Sequence, residues 1–206
     1  YPHADLESRM VEAIKPWGDR FLEALNARHP EKQAIQLYER HGNCFSAAYK
    51  ETYSGETAVL DTQYIEQVAG SGQLALTLSE PAAEPGAEFS FKIFNYRYQL
   101  SLSDVVPVLE NFGLNIISEK TFELNIGGEC AVWLHEFSLY QNRPTSKIYG
   151  NFKANFEAAF LAIWQRDMDD DSFNALVIGA GLTVREAALL RAYAAYLKQK
   201  IGRAHV

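Results

Sequence analysis

Residues 100–124 read LSLSDVVPVLENFGLNIISEKTFEL, and this stretch decides the fold of the chain. Leucine and valine recur at helical spacing in its first half, where Ser101 and Asp104 have the spacing of a capping box at a helix start. Gly113 stands where the left-handed residue that ends a helix is expected, and an apolar strand begins directly after it. The stretch therefore predicts the helix, the turn and the second strand of a β-α-β crossover.

Residues 1–70 carry apolar side chains at helical spacing and predict a helical arm. The first helix begins at Leu6, and Pro16 is expected to break or kink it. Proline, serine and glycine at favoured start and stop positions place further helices from Pro30 to Gly42, around Phe45 and Tyr49, and from Ser54 to Gly70.

At Gln73 the apolar period changes from that of a helix to that of a strand. A second alternating segment begins at Phe89, and the intervening stretch Pro81–Gly86 has the composition of a loop. The two strands are therefore expected to form a hairpin that precedes the crossover helix.

The crossover helix is followed by two predicted strands, Leu114–Leu124 and Cys130–Tyr140, with a turn at Gly127-Gly128. The second of these strands is apolar on both sides, which predicts a central position in the sheet. After a loop at Asn142–Ser146, aromatic residues at helical spacing predict a helix over Lys147–Arg166 that lies on the sheet. Residues 71–168 thus form a predicted α+β domain with element order ββαββα and a four-stranded antiparallel sheet.

Residues 169–206 predict two helices, Ser172 to about Ala180 and Thr183 to about Ile201, joined at Gly179-Ala180-Gly181. One side of the last helix is lined with apolar residues: Leu182, Leu189, Tyr193 and Tyr196, with Leu190 and Leu197 beside them. We expect such a helix to pack against a partner.

The composition favours a folded, acidic, non-membrane protein. Hydrophobic residues make up 48% of the chain and the formal net charge is −7, which argues against nucleic acid as a partner. No apolar run is long enough to span a bilayer, so we expect a cytoplasmic protein with no membrane partner. Cys44 and Cys130 are too few for a disulfide scaffold, and Cys130 is expected to be a buried thiol. The first residue is Tyr1, not methionine, which leads us to expect a piece of a longer protein.

The glycine-rich segment Gly179-Ala180-Gly181 invites a dinucleotide-binding interpretation, since such turns bring backbone amides to a pyrophosphate. Val184 occupies the position of the third glycine, and no strand-helix-strand unit follows. We therefore predict a turn between two helices and no cofactor in this chain.

Asp167, Asp169 and Asp171 have the spacing of the first calcium ligands of an EF-hand loop, but the later glycine and glutamate are replaced by Ser172 and Ile178. The simpler prediction is that the acidic run caps the following helix. The five histidines show no metal-ligand spacing. His135 and Glu136 are neighbours on a strand, so their side chains are predicted to point to opposite faces and not to form a catalytic pair. We predict no catalytic and no metal-binding residue.

The segment Asn111-Phe112-Gly113-Leu114-Asn115-Ile116 resembles the regulatory ACT domain, whose first helix ends in a glycine followed by an apolar strand. Residues 102–124 together with residues 169–199, DDDSFNALVIGAGLTVREAALLRAYAAYLKQ, resemble the long bacterial type of NAD-specific glutamate dehydrogenase. The resemblance runs from about Trp17 to the C-terminus. It implies a ferredoxin-like, ACT-like sheet, in which moving the last strand of the usual ACT order βαββαβ to the front gives the order predicted here.

The resemblance further implies a non-catalytic regulatory or architectural segment of a much longer enzyme that deaminates L-glutamate with NAD. The partners implied are the catalytic domain of the same chain, further copies in a homo-oligomer, and an amino-acid effector. An ACT effector would bind near the first strand-to-helix loop, where Asn95, Ser101, Ser103 and Asp104 are the candidate contacts, although these residues also suit turns and caps. Tyr96 and Tyr98 equally suit a docking surface. The alternative functions are a free-standing ACT-type amino-acid sensor and an independent small enzyme, the latter disfavoured because no acid, base or nucleophile set converges.

Overall fold

The structure is a computed structural model that describes residues 15–80, 85–126, 130–141 and 152–203. Several predicted features lie outside these residues: the helix start at Leu6, most of the loop Pro81–Gly86, the turn at Gly127-Gly128, and the loop and helix start at 142–151. The predicted burial of the Cys130 thiol also lies outside the described side chains. By contacts between Cα atoms the chain divides into two compact units.

The first unit comprises Tyr1–Ala75, Ile93–Gln99 and Thr121–His135. Its helices are α1 (Trp17–Arg28), α2 (Glu31–His41), α3 (Ala47–Thr52) and α4 (Gly55–Ser71). Pro16 directly precedes α1, Ser46 and Ser54 cap α3 and α4 with their side chains, and Gly72 ends α4 in the left-handed region. The predicted helical arm is confirmed over its described residues.

The interior of the first unit is an aromatic cluster. Phe21 is fully buried, with its ring 5.3 Å from that of Trp17 and 5.5 Å from that of Phe45. Tyr49 packs on Phe122 of a strand, and its hydroxyl donates to the buried Asp61 carboxylate at 2.6 Å. Because the Tyr49 hydroxyl has an acceptor, burial of the Tyr49 ring stabilises the core without leaving an unpaired polar group.

The second unit comprises Leu76–Lys92, Leu100–Lys120 and Glu136–Val206. Its helices are α5 (Leu102–Asn111), α6 (Phe152–Trp164), α7 (Ala175–Gly179) and α8 (Val184–Arg203), with a 3₁₀ turn at Ser172–Asn174 before α7. The aromatic stripe of α6 lies on strand residues, with Phe156 and Phe160 about 5 Å from Phe91. The predicted packing of this helix on the sheet is confirmed.

The sheet has four strands: β1 (Ala75–Ser79), β2 (Phe89–Tyr96), β3 (Leu114–Ile126) and β4 (Cys130–Gln141), in the order β1-β2-β4-β3. Backbone bonds from Glu88 N to Leu139 O and from Arg97 N to Ala131 O show that β2 and β4 run antiparallel. The order is that of an ACT-like sheet whose last strand has moved to the front, and β4 is central. The predicted fold class and the central strand are confirmed.

The stretch 100–124 folds as predicted except at its first turn. Ser101 is the N-cap residue of α5, but its side chain makes no capping bond and its hydroxyl instead pairs with that of Ser103 at 2.6 Å. The expected capping box with Asp104 is therefore wrong, because the two hydroxyls satisfy each other. Gly113 has φ +78°, as the turn from α5 to β3 requires, and the Cβ of any larger residue would lie 3.7 Å from the Ala175 side chain.

Candidate functional site

Arg191 links helix α8 to the residues that precede α7. The Arg191 Nε donates to the Asp171 carboxylate at 2.7 Å, and its Nη2 donates to Asp171 at 2.9 Å, to the Asn174 side-chain oxygen at 2.9 Å and to the Asp169 carbonyl at 3.2 Å. The Nε and Nη2 donors form a fork that matches the two carboxylate oxygens of Asp171, and Nη2 shares its two hydrogens among three acceptors. The hydrogen bond from Arg191 lowers the pKa of the Asp171 carboxyl below its ordinary value.

The acidic run that precedes α7 has structural roles. Asp171 accepts from the Phe173 backbone amide at 3.0 Å, and Asp170 accepts from the side-chain amides of Asn111 and Asn174 at 3.0 and 3.1 Å. Asp171 thus caps the 3₁₀ turn, which confirms the predicted capping role. Among the described residues, no group of three histidine, cysteine, aspartate or glutamate side chains is placed to hold a metal.

The glycine-rich segment forms a turn between α7 and α8, as predicted. Gly181 has φ +69°, its carbonyl accepts from the Asn155 amide at 3.1 Å, and the amides of Ala180 and Leu182 both close back onto the Leu176 carbonyl. A helix rather than a strand precedes the turn, so these residues do not fit a dinucleotide. Thr183 and Glu186 then form a capping box that starts α8.

A cavity of about 360 Å³ lies between α8 and the segment that follows α6. Its lining combines the aliphatic surface of α8 with charged side chains, among them Arg166, Asp167, Asp169 and Arg191. Arg166 has φ +65°, the left-handed conformation that ends α6. On this side α8 presents small aliphatic residues and Arg191, whereas the charged residues Arg166, Asp167 and Asp169 come from the segment that follows α6.

The outward side of α8 is apolar and exposed. Within the described part of this helix Ala187 alone is fully buried, whereas the large apolar residues are between 43% and 59% exposed: Leu189, Leu190, Tyr193, Tyr196 and Leu197. Scattered exposed leucines are ordinary on a protein surface, but a continuous stripe of this kind marks an interaction surface. We call these five side chains the outer face of α8.

The predicted effector-binding residues are divided between the two units. Asn95 belongs to the first unit, where it lies on β2, is 5% exposed and donates its side-chain amide to the Tyr98 carbonyl at 2.8 Å. Ser101, Ser103 and Asp104 belong to the second unit and are exposed at the start of α5. The assignment of all four as a binding site stays a prediction. Tyr98, the predicted docking residue beside them, is 65% exposed.

The buried polar residues of the central strand have structural partners. His135 Nδ1 lies 3.2 Å from the Thr121 hydroxyl, and the Glu136 carboxylate accepts from the Ser90 hydroxyl at 2.7 Å. His135 thus engages a residue of β3 and Glu136 a residue of β2, and the prediction that their side chains point to opposite faces stays a prediction. None of the helices in the described part of the chain is long and apolar enough to cross a membrane.

Comparison with known proteins identifies the chain. Residues 24–68 match the family model of glutamate dehydrogenase helical motif 2, residues 73–149 that of the glutamate dehydrogenase ACT3 domain, and residues 168–203 that of glutamate dehydrogenase helical motif 3. The fold and these matches define an ACT-type α+β domain accompanied by helical motifs.

Three curated relatives, all NAD-specific glutamate dehydrogenases, match nearly the whole chain. The protein of Halomonas elongata is 37% identical over 94% of this chain, that of Pseudomonas aeruginosa 30% identical over 95%, and that of Mycobacterium tuberculosis 29% identical over 94%. The chain belongs to the family of large NAD-specific glutamate dehydrogenases. It spans about 12% of the length of each of these relatives.

Proposed function

We propose that this chain is a non-catalytic regulatory and architectural segment of a large NAD-dependent glutamate dehydrogenase. In the whole enzyme, L-glutamate, NAD and water give 2-oxoglutarate, ammonia and NADH. The observation that carries the proposal is that all three matched regions are an ACT domain and helical motifs, in a chain much shorter than the relatives. NAD is then bound by the catalytic domain of the same enzyme, and the protein acts in the cytoplasm.

The polar interior of the chain supports this role. Two buried ionisable side chains are engaged in structural bonds: Tyr49 donates to Asp61 in the first unit, and Glu136 accepts from Ser90 in the second. Arg191 is likewise engaged by Asp171. A catalytic acid or base has to reach a bound substrate, whereas these groups hold strands and helices together.

The test is an assay of NADH formation by the purified 206-residue chain with L-glutamate and NAD. We expect no turnover, with the full-length Halomonas elongata relative as the matched active control. Steady NADH production by the 206-residue chain, lost when L-glutamate is left out, would overturn the proposal.

The alternative function is ACT-type sensing of an amino acid. It is favoured by the exposed polar side chains of Ser103 and Asp104 at the start of α5, together with the N-cap residue Ser101, whose side chain makes no capping bond. A ligand that binds only the folded chain raises its melting temperature, so a thermal-shift screen with the amino acids, 2-oxoglutarate and NAD is a direct test. A shift that is lost in Ser103→Ala and Asp104→Ala variants would support sensing. If no compound changed the melting temperature at millimolar concentrations, the result would favour the architectural role over sensing.

A further inference from the structure

The outer face of α8 has an internal symmetry. Glu186 and Lys200 lie at equal distances along the helix on either side of Tyr193, as do Leu189 and Leu197, and Leu190 and Tyr196. At about 100° per residue, Tyr193 falls at the centre of the exposed stripe and the members of each pair fall symmetrically about it. The large apolar positions are therefore arranged symmetrically about Tyr193, and the two outermost positions of the set carry opposite charges.

We propose that the outer face of α8 binds the outer face of a second copy of this chain, with the two helices antiparallel and Tyr193 at the twofold axis. Such an interface is isologous, since one patch of surface serves both chains. The inference rests on the proposed architectural role and names the surface that performs it.

The antiparallel pairing buries every large apolar residue of the stripe. At one end of the interface, Leu189 and Leu190 of one chain lie beside Tyr196 and Leu197 of the other and form one apolar layer. The twofold axis generates an identical layer at the other end. The two Tyr193 rings meet between these layers. All five side chains are 43–59% exposed in the single chain, so the pairing removes substantial apolar area from water.

Charge selects the antiparallel orientation. In this register Glu186 of each chain lies beside Lys200 of the other, and each end of the seam carries one pair of opposite charges. A parallel pair would bring Glu186 next to Glu186 and Lys200 next to Lys200. One Glu186 oxygen accepts from Thr183 in the capping box, which leaves the other oxygen to accept from a lysine. Lys200 already lies over the Tyr196 ring, with its Nζ 5.5 Å from the ring centroid.

The association is tested by sedimentation equilibrium of the 206-residue chain over a concentration series. We expect a reversible dimer, weakened at least tenfold by Leu190→Glu, with Gln199→Glu as the control because Gln199 is exposed on another side of the helix. Both substitutions lie on solvent-exposed positions, and circular dichroism verifies that the variants stay folded. A chain that remains monomeric up to hundreds of micromolar would overturn the proposal and show that some other partner covers this face.

The register is tested by oxidative cross-linking. A Tyr193→Cys chain is expected to form a disulfide-linked dimer faster than both a Gln199→Cys chain and the unsubstituted chain, because only position 193 meets its own copy at the twofold axis. Equal cross-linking at the two positions would overturn the antiparallel register. The outcome is independent of the NADH assay: a monomeric, inactive chain would refute the dimer alone, whereas a dimer that turns over glutamate would refute the proposed function alone.

Discussion

Helices α4 and α8 have similar lengths, 17 and 20 residues, but use their apolar side chains in opposite ways. Helix α4 buries seven residues inside the first unit, among them Val59, Ile65 and Val68. Helix α8 keeps Ala187, the one fully buried side chain among those described in this helix, and the polar Arg191 on the inner side and exposes its leucines and tyrosines. The same helical period thus marks a core element in one unit and an exposed apolar face in the other.

The difference between the two helices has a physical cause in what surrounds them. Strand residues such as Phe94 and Phe122 extend the core cluster that contains Ile65 of α4, so the apolar face of α4 is covered within its own unit. Helix α8 is positioned through the hydrogen bonds of Arg191, which require no apolar contact from its opposite side. Its leucines and tyrosines, which are 43–59% exposed, should therefore contribute less to the stability of the isolated chain than the buried side chains of α4.

The largest expected contrast between the two regions comes from truncating one large apolar side chain in each. Phe21→Ala removes a fully buried ring and should destabilise the first unit by about 3–5 kcal/mol. Leu190→Ala, on the outer face of α8, should change stability by no more than about 0.5 kcal/mol. Urea unfolding, with segment-resolved hydrogen exchange at concentrations where the chain is monomeric, measures both. Similar losses from the two variants would contradict the comparison.

The next effect is steric and is confined to α4. A Cβ at Gly55 would lie 2.6 Å from the Phe21 backbone nitrogen and 2.8 Å from its Cα, and backbone atoms cannot move aside cheaply. Gly55→Ala should therefore cost about 1–3 kcal/mol. Gly70→Ala in the same helix is the matched control, because nothing lies within 4 Å of its added methyl group and it should stabilise by up to about 1 kcal/mol. Equal effects in urea unfolding would show that α1 and α4 do not cross as closely as described.

Local signals in the sequence predicted the order of the elements. Gly113 predicts the turn from α5 to β3, because the turn requires a residue in the left-handed conformation. The change in the spacing of apolar residues at Gln73 predicts the start of the sheet. Apolar residues on both sides of β4 predicted its central position, since both faces of a strand are covered more often inside a sheet than at its edge. These features depend on residues that are close together in the chain.

Features that depend on contacts between residues distant in the chain could not be predicted from the sequence. Arg191 reads as one charge of a basic helix, and its bonds to Asp171 and Asn174 exist only after the chain has folded back. Asn95 reads as a loop residue because asparagine favours turns, yet β2 extends through it and its amide supports the turn that follows. The expected cap of α5 failed for a similar reason, since Ser103 offers the Ser101 hydroxyl a closer partner.

A difference in pH dependence sharpens the comparison further. Burial lowers the pKa of His41, although its contact with Glu66 opposes this, and its Nδ1 has no hydrogen-bond partner among the described residues. The unfolded chain binds a proton below about pH 6.5 that the folded unit binds only at lower pH. Stability of the first unit should therefore be fully present above that pH and fall as the pH is lowered through it.

Urea unfolding at pH values from about 7.5 down to 5.5 measures this dependence. The His41→Gln variant should show a flatter dependence than the unsubstituted chain, while the same substitution at the half-buried His29 serves as the control. If His41→Gln left the slope unchanged, His41 would not be the group that titrates.

The smallest expected effect concerns the attachment of α8. Asp171 is partly exposed, and its pKa is lowered chiefly by the hydrogen bond from Arg191. Its contribution to folding stability is therefore fully present above the unfolded pKa of about 3.9. This contribution is lost as the pH falls through the lower pKa of the folded chain. Arg191→Lys should weaken the attachment by about 1 kcal/mol, because an ammonium group cannot reproduce the forked bonds to Asp171 and Asn174. Asp171→Asn should reduce the hydrogen-exchange protection of α8 at about pH 6, and this deficit should shrink as the pH falls below about 3.9. A deficit that persisted unchanged at the lower pH would mean that the charge of Asp171 does not stabilise the attachment of α8, and the contrast between a helix attached through its core and a helix attached largely through polar bonds would fail.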